Sequence, residues 1–260
     1  MAVSFQILAS GSKGNAMVVS SSRTRILIDA GLTSKELHRR LHLADIDPAE
    51  IQGAVLTHEH QDHVRGAGVF SRRYDLPVYL TQGTLDSLSQ QVGTLGCPQV
   101  FRNGHGFQVG DLRIIPFAIS HDANDPVGLT VENDGVKLGI CTDLGVATQL
   151  VRKKLEGCHA MVLEANHDVD LLLNGPYPWH LKQRIRSRHG HLSNADSCAL
   201  LKELLHDGLQ VVVLAHLSET NNRPELVRDA FHGFSQTSRW REIRIEVGQQ
   251  HAIGGAIDVR

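Results

Sequence analysis

Directly behind the apolar run Ala54-Val55-Leu56 the chain reads Thr57-His58-Glu59-His60-Gln61-Asp62-His63, so that His58, His60, Asp62 and His63 fall within six residues. The run predicts a buried strand. Residues two apart in an extended chain point to the same side, which lets His58 and His60 grip one cation. Asp62 and His63 then face elsewhere, and a turn after His60 would let them hold a second cation a few ångströms away. Gly66 and Gly68 allow the following backbone to pass close by. Imidazole with carboxylate suits zinc, manganese or iron better than calcium or magnesium. A solvated His-rich loop is the plain alternative, but H-x-H-x-D-H behind an apolar strand is far more specific than a lone H-x-H.

Other segments end in the same way. Strands are predicted at Phe5–Leu8, Ala16–Val19 and Arg25–Ile28, the last closing on Asp29. Thr33 and Glu36 form a capping box for a helix with Leu37 and Leu41 on its apolar stripe, ending before Asp47-Pro48. The stretch from Val78 to Val136 is mostly strand-like, with hairpin turns at Gly110-Asp111 and Asn133-Asp134-Gly135. Lys137–Cys141 is a strand delivering Thr142-Asp143, Gln149–Leu155 a helix, and Ala160–Glu164 a strand ending in a carboxylate. Ser193 caps a helix to about Leu205, Gly208 ends it, and Val211–Leu214 is a strand leading to His216. Polar strand ends with helices behind them put the chemistry on one rim of the sheets.

The 260 residues suit one domain, residues 1–260, because α/β and two-layer β folds often reach this length. A net charge of −2 excludes a surface that attracts polyanions everywhere, so nucleic-acid binding requires a local basic patch. Cys97, Cys141, Cys158 and Cys198 show no CxxC pair and read as thiols in a reducing compartment. No apolar run approaches the roughly 20 residues of a membrane span, and a cytoplasmic protein without membrane contact is expected.

Ile119-Ser120-His121-Asp122, Cys141-Thr142-Asp143 and Leu214-Ala215-His216 each supply a further ligand. With the first motif they give His58, His60 and His121 for one metal and Asp62, His63 and His216 for the other, with Asp143 able to bridge. This order resembles the metallo-β-lactamase superfamily, which implies an α/β (α+β) fold, a four-layer αββα sandwich whose edge loops carry two metal ions. Ser10-Gly11-Ser12-Lys13-Gly14-Asn15, Ser120–Gly128, Glu164-Ala165-Asn166-His167-Asp168, Arg188–Asn194 and His216–Asn222 resemble the YycJ (WalJ) exonuclease-like group, related to ribonuclease Z and the β-CASP nucleases. The resemblance implies that Glu164 and His191 assist Asp62 and Asp143 in catalysis. It also implies two divalent ions per chain (manganese or zinc, or iron), and DNA as the substrate. The inserted cap domain of β-CASP enzymes has no room in this chain.

His191 precedes the Ser193 cap, where free backbone N–H groups attract an anion; Ser193 and Asn194 are candidate phosphate contacts. As an imidazolium, His191 could clamp a phosphate or protonate a leaving oxygen. Lys182, Arg184, Arg186 and Arg188 alternate, so an extended stretch would present them on one face to successive phosphates, with Tyr177 and Trp179 stacking bases. Charged runs are more often solvated faces. The Ser10–Asn15 loop either forms a tight hairpin or cradles a phosphate with Ser10, Ser12, Lys13 and Asn15. Asp29 is expected to stiffen the metal loop by hydrogen bonding.

These readings lead to a metal-dependent phosphodiester hydrolase, a 5′-to-3′ DNA exonuclease as the resemblance implies. The alternatives are a phosphodiesterase for a small or cyclic ester, a metal-binding regulatory protein without turnover, and a glyoxalase-type thioesterase.

Overall fold

The computed structural model describes residues 3–236 and 242–260. In chain order the first half contains β1 (Val3–Ala9), β2 (Ala16–Ser20), β3 (Arg25–Ile28), α1 (Ser34–Leu43), β4 (Gly53–Val55), α2 (Gln61–Val64), α3 (Ala67–Tyr74), β5 (Pro77–Thr81), α4 (Gln82–Asp86) and β6 (Cys97–Phe101). The second half contains β7 (Phe107–Val109), β8 (Leu112–Ala118), β9 (Val127–Asn133), β10 (Val136–Cys141), α5 (Gln149–Leu155) and β11 (Ala160–Glu164). It continues with α6 (Val169–Asn174), α7 (Trp179–Ile185), α8 (Asn194–Leu204), β12 (Val211–Ala215), α9 (Pro224–Gln236), β13 (Arg244–Val247) and β14 (Ile257–Val259).

The strands make two seven-stranded sheets, ordered β14-β1-β2-β3-β4-β5-β6 and β13-β12-β11-β10-β9-β8-β7. Each is antiparallel at one end and parallel at the other, from β3 to β6 and from β10 to β13. Parallel neighbours need crossovers, and their helices cover the outer faces.

Side-chain alternation then builds four layers. Phe5, Ile7, Met17 and Val19 face Val211, Val213, Leu138 and Ile140 in the central core between the sheets. The opposite faces of the same strands, Leu8, Val18 and Leu27, pack under Leu37 and Leu41 of α1 and Phe70 of α3. On the other side Met161, Leu163, Val212 and Leu214 pack under α5, α8 and α9 through Val151, Leu155, Leu201, Leu204 and Phe231. Apolar burial on both faces explains why these strands read as continuous Val/Ile/Leu runs rather than alternating ones.

Two expectations are corrected. The strand-like reading of Val78–Val136 is interrupted by α4, which Thr81 caps by accepting from Thr84 N. The Lys182–Arg188 run is not extended. Residues 179–185 form α7 behind Pro178, so the four cations cannot share one strand face.

Candidate metal centre

Three strand-end residues, Asp29, Asp143 and His216, adopt left-handed backbone with φ of 58°, 57° and 58°. That conformation costs a non-glycine residue on the order of 1–3 kcal/mol and persists only where the surroundings over-determine it. Here it turns each side chain from the strand end into one cleft between the sheets.

The imidazoles are aimed by their outer nitrogens. His63 Nδ1–H donates to Asp29 Oδ2 at 2.7 Å, His216 Nδ1–H to Glu164 Oε1 at 2.9 Å, and His121 Nδ1–H to the Gly190 carbonyl at 3.2 Å. In the neutral ring each such bond leaves the inner nitrogen as the lone pair that faces the cleft. They converge with His58 and His60 on the carboxylates. His63 Nε2 lies 3.1 Å from Asp143 Oδ2, His216 Nε2 lies 3.3 Å from Asp62 Oδ2, and His121 Nε2 lies 3.3 Å from His60 Nδ1 and 3.6 Å from Asp143 Oδ1. His58, His60 and His121 form one group within 4.8 Å; Asp62, His63 and His216 form a second, and Asp143 stands with both His58 and His63.

This donor set fits divalent cations. His58 Nε2 and Asp143 Oδ2 are buried and make no hydrogen bond, and acceptor facing acceptor is unfavourable unless a positive charge lies between them. Electrostatics point the same way. Burial pushes the His58 imidazole down, the neighbouring His63 adds to this, and it stays neutral well below its ordinary range. For His63 and His216 burial is outweighed by Asp143 and the other carboxylates, which hold both rings well above theirs. Burial would raise the Asp143 carboxyl, but His216 and His63 hold it well below the carboxylate range.

Glu164 ends β11 at 0 % exposure and accepts five hydrogen bonds: Asp143 N, His191 Nδ1 and His216 Nδ1 on Oε1, and Leu144 N and Leu192 N on Oε2. Burial would raise its pKa, yet His191 and the hydrogen bonds hold it at about 2. Its surroundings exclude contact with substrate, so its influence on the cleft runs through His191 and His216. His191 keeps its second nitrogen, Nε2, clear of Glu164, and the Glu164 and Asp143 carboxylates raise its pKa against the effect of burial.

The expected substrate contacts separate into two sets. Ser10 and Asn15 are buried: Ser10 Oγ accepts from His216 N, and Asn15 Oδ1 accepts from Gly11 N. Lys13 N donates to Gln250 Oε1, Gln250 Nε2 donates to Gly14 O, and the Lys13 ammonium pairs with Glu219. The phosphate-cradle reading is corrected for Ser10 and Asn15, whose side chains are buried and partnered within the protein, while Ser12 and Lys13 stay exposed. Ser193 caps α8 by accepting from Asp196 N, and Asn194 exchanges hydrogen bonds with Asn222, which commits both side chains. Lys182 is buried, its ammonium donating to the Leu173 and Gly175 carbonyls. Arg184 is paired with Asp122 beside His121. Arg186 and Arg188 are exposed, as is Trp179 at 61 %, while Tyr177 is half-buried.

Several residues around the centre carry no motif of their own. A Cβ on Gly31 would meet the Asp62 carbonyl at 1.6 Å, so only glycine lets the loop after β3 pass against the Asp62 backbone. Asn166 Nδ2 donates to the His216 carbonyl. The segments Glu164–Asp168 and His216–Asn222 stand out in sequence, yet which of their amides face inward follows only from the fold.

Comparison with known proteins agrees with the motifs. The beta-lactamase superfamily domain matches residues 24–217. The chain is 37 % identical over 230 residues to the exodeoxyribonuclease YycJ of Bacillus anthracis, covering 88 % of this chain and 87 % of that protein. It is 35 % identical over 226 residues to the exodeoxyribonuclease WalJ of Streptococcus pneumoniae, covering 85 % and 84 %. Zinc-bound PqqB from Methylobacterium extorquens shares the fold with a TM-score of 0.74 at 17 % identity, over 98 % of this chain and 100 % of that one. The chain belongs to the β-lactamase superfamily.

Proposed function

We propose that this chain, as one domain of 260 residues, is a metal-dependent nuclease that removes nucleotides from DNA in the 5′-to-3′ direction in the cytoplasm. The observation that carries the reading is a pair of ligand groups with Asp143 against members of each, His58 of one and His63 and His216 of the other, and the Glu164–His191 pair at their side. Relatives named exodeoxyribonucleases at 35–37 % identity supply the substrate class.

His58, His60 and His121 would hold one divalent ion and Asp62, His63 and His216 the other, with Asp143 between them; manganese or zinc suits these donors, and iron also. Such ions polarise phosphoryl oxygens and lower the pKa of water towards neutrality. The protein residues do the rest. Glu164 holds the His191 ring by Nδ1 and favours its protonated form. As water adds to phosphorus and the old P–O bond breaks, His191 Nε2–H can pass its proton to the leaving oxygen and be restored by the proton the water gives up. Arg186 and Arg188, with Trp179, offer charge and a stacking surface to a strand arriving beside α7.

The test is protein stripped of metal and reloaded with manganese or zinc, given 5′-labelled single-stranded DNA, RNA and a cyclic phosphodiester in parallel. Labelled mononucleotide released first from DNA supports the proposal. Preference for the cyclic ester would replace it with the small-substrate reading, and no turnover with either metal would leave a binding protein.

A further inference from the structure

We infer that Ser10 and Asn15 are positioning residues for the half-site of Asp62, His63 and His216, so that this loop sets the affinity for one cation and leaves the other unaffected. The inference rests on the two-ion reading above.

His216 is held at three points. Its backbone N–H donates to Ser10 Oγ at 2.7 Å, its carbonyl accepts from Asn166 Nδ2 at 2.9 Å, and its Nδ1–H is taken by Glu164. All these groups are buried. Without the Ser10 hydroxyl the His216 N–H would be an unsatisfied donor in a left-handed residue, and relaxation of that residue would swing Nε2 away from Asp62.

Asn15 grips the other two members. Its backbone N–H donates to the Asp62 carbonyl at 2.7 Å, and its side-chain Nδ2 lies 3.3 Å from Asp62 Oδ2 and 3.0 Å from His63 Nε2. The loop is stiff enough to transmit position. Gly11 and Gly14 take φ of 146° and 151°, Asn15 Oδ1 closes the loop on Gly11 N, and Gln250 ties it to the far end of the chain. Among the described residues no hydrogen bond runs from this loop to His58, His60 or His121. The direct contacts of the loop are therefore confined to one half of the centre.

The experiment is calorimetric titration of zinc into chelator-stripped wild type, Ser10→Ala and Asn15→Ala, with metal content after dialysis as a second measure. Circular dichroism and melting of the metal-free proteins report folding. In each variant one of the two dissociation constants should rise by about 10–100-fold while the other stays, giving a protein that retains one ion. Asn15→Ala carries the test alone if Ser10→Ala does not fold. Two wild-type constants in both variants overturn the inference, as does equal weakening of both. A wild type that binds fewer than two ions removes the two-ion reading itself, and this inference with it.

Discussion

Glu164 Oε1 accepts a hydrogen bond from His191 Nδ1 at 2.9 Å, from a position with no solvent exposure. An amide in its place has one acceptor oxygen and brings its own N–H donors against Leu144 N, Leu192 N or an imidazole. Glu164→Gln should lower kcat by about 10–100-fold, the usual loss when a residue behind a metal ligand is changed. Each donor left unpaired should cost about 1–3 kcal/mol of stability. Steady-state kinetics and denaturant melts measure the two effects separately, and wild-type values in both would show that the five hydrogen bonds carry little weight.

His191→Ala should leave metal content nearly unchanged and reduce kcat roughly 10²–10⁴-fold. Elemental analysis beside single-turnover kinetics decides the role. Loss of an ion would move His191 among the ligands, and normal turnover would make it a packing residue.

Asp143→Ala deletes the carboxylate that stands against His58, His63 and His216 and is 2 % exposed. Metal content and turnover should both fall further than for any other single ligand change. Retention of two ions would exclude a bridging role.

Only two arginines of the basic run stay free to meet a strand, so Arg186→Gln with Arg188→Gln should weaken single-stranded DNA binding and reduce the log–log salt slope by about 0.7 for each lost contact. Lys182→Met should behave differently. Loss of two buried hydrogen bonds from its ammonium should destabilise the α6–α7 turn by on the order of 1–3 kcal/mol without changing that slope. Fluorescence binding across a salt series and thermal melts separate the two classes.

His167 is 2 % exposed, and burial holds its imidazole down to about 4. In the unfolded chain it titrates near its ordinary value of about 6.5, so below that pH the unfolded state takes up a proton the folded state refuses. Its contribution is complete above about 6.5 and is lost as pH falls towards 4, a change on the order of 3 kcal/mol. Its Nδ1 makes no hydrogen bond, so His167→Leu should fold. Denaturant melts from pH 7 to 4.5 should show a shallower decline for the variant; parallel curves would contradict the assignment.

Much of the architecture can be read in the chain because apolar runs buried on both faces mark the strands, and a residue pair such as Thr33 and Glu36 marks a helix start; α1 begins at the Thr33 cap, and α5 and β11 begin and end where the sequence places them. The candidate ligands stand out in sequence because they sit at strand ends, where chemistry and period coincide. The α7 run misleads because cations at every second position mimic a strand, while Pro178 and the carbonyl cage around Lys182 select a helix. The Ser10–Asn15 loop misleads for another reason. Ser10 and Asn15 suit an outside anion equally well until His216 and Asp62, distant in sequence, are seen to occupy them.

Each group of ligands spans the gap between the sheets: His58 and His60 follow β4 while His121 follows β8, and Asp62 and His63 meet His216 from beyond β12. A bound ion would then act as a fastener, joining positions 61 and 154 residues apart at the open end of the sandwich. Saturation at a hundred times the dissociation constant adds about 2.7 kcal/mol against unfolding. Cation scarcity would therefore do more than idle the protein: it would loosen the two halves and expose the chain to proteolysis, so that abundance as well as turnover follows metal supply.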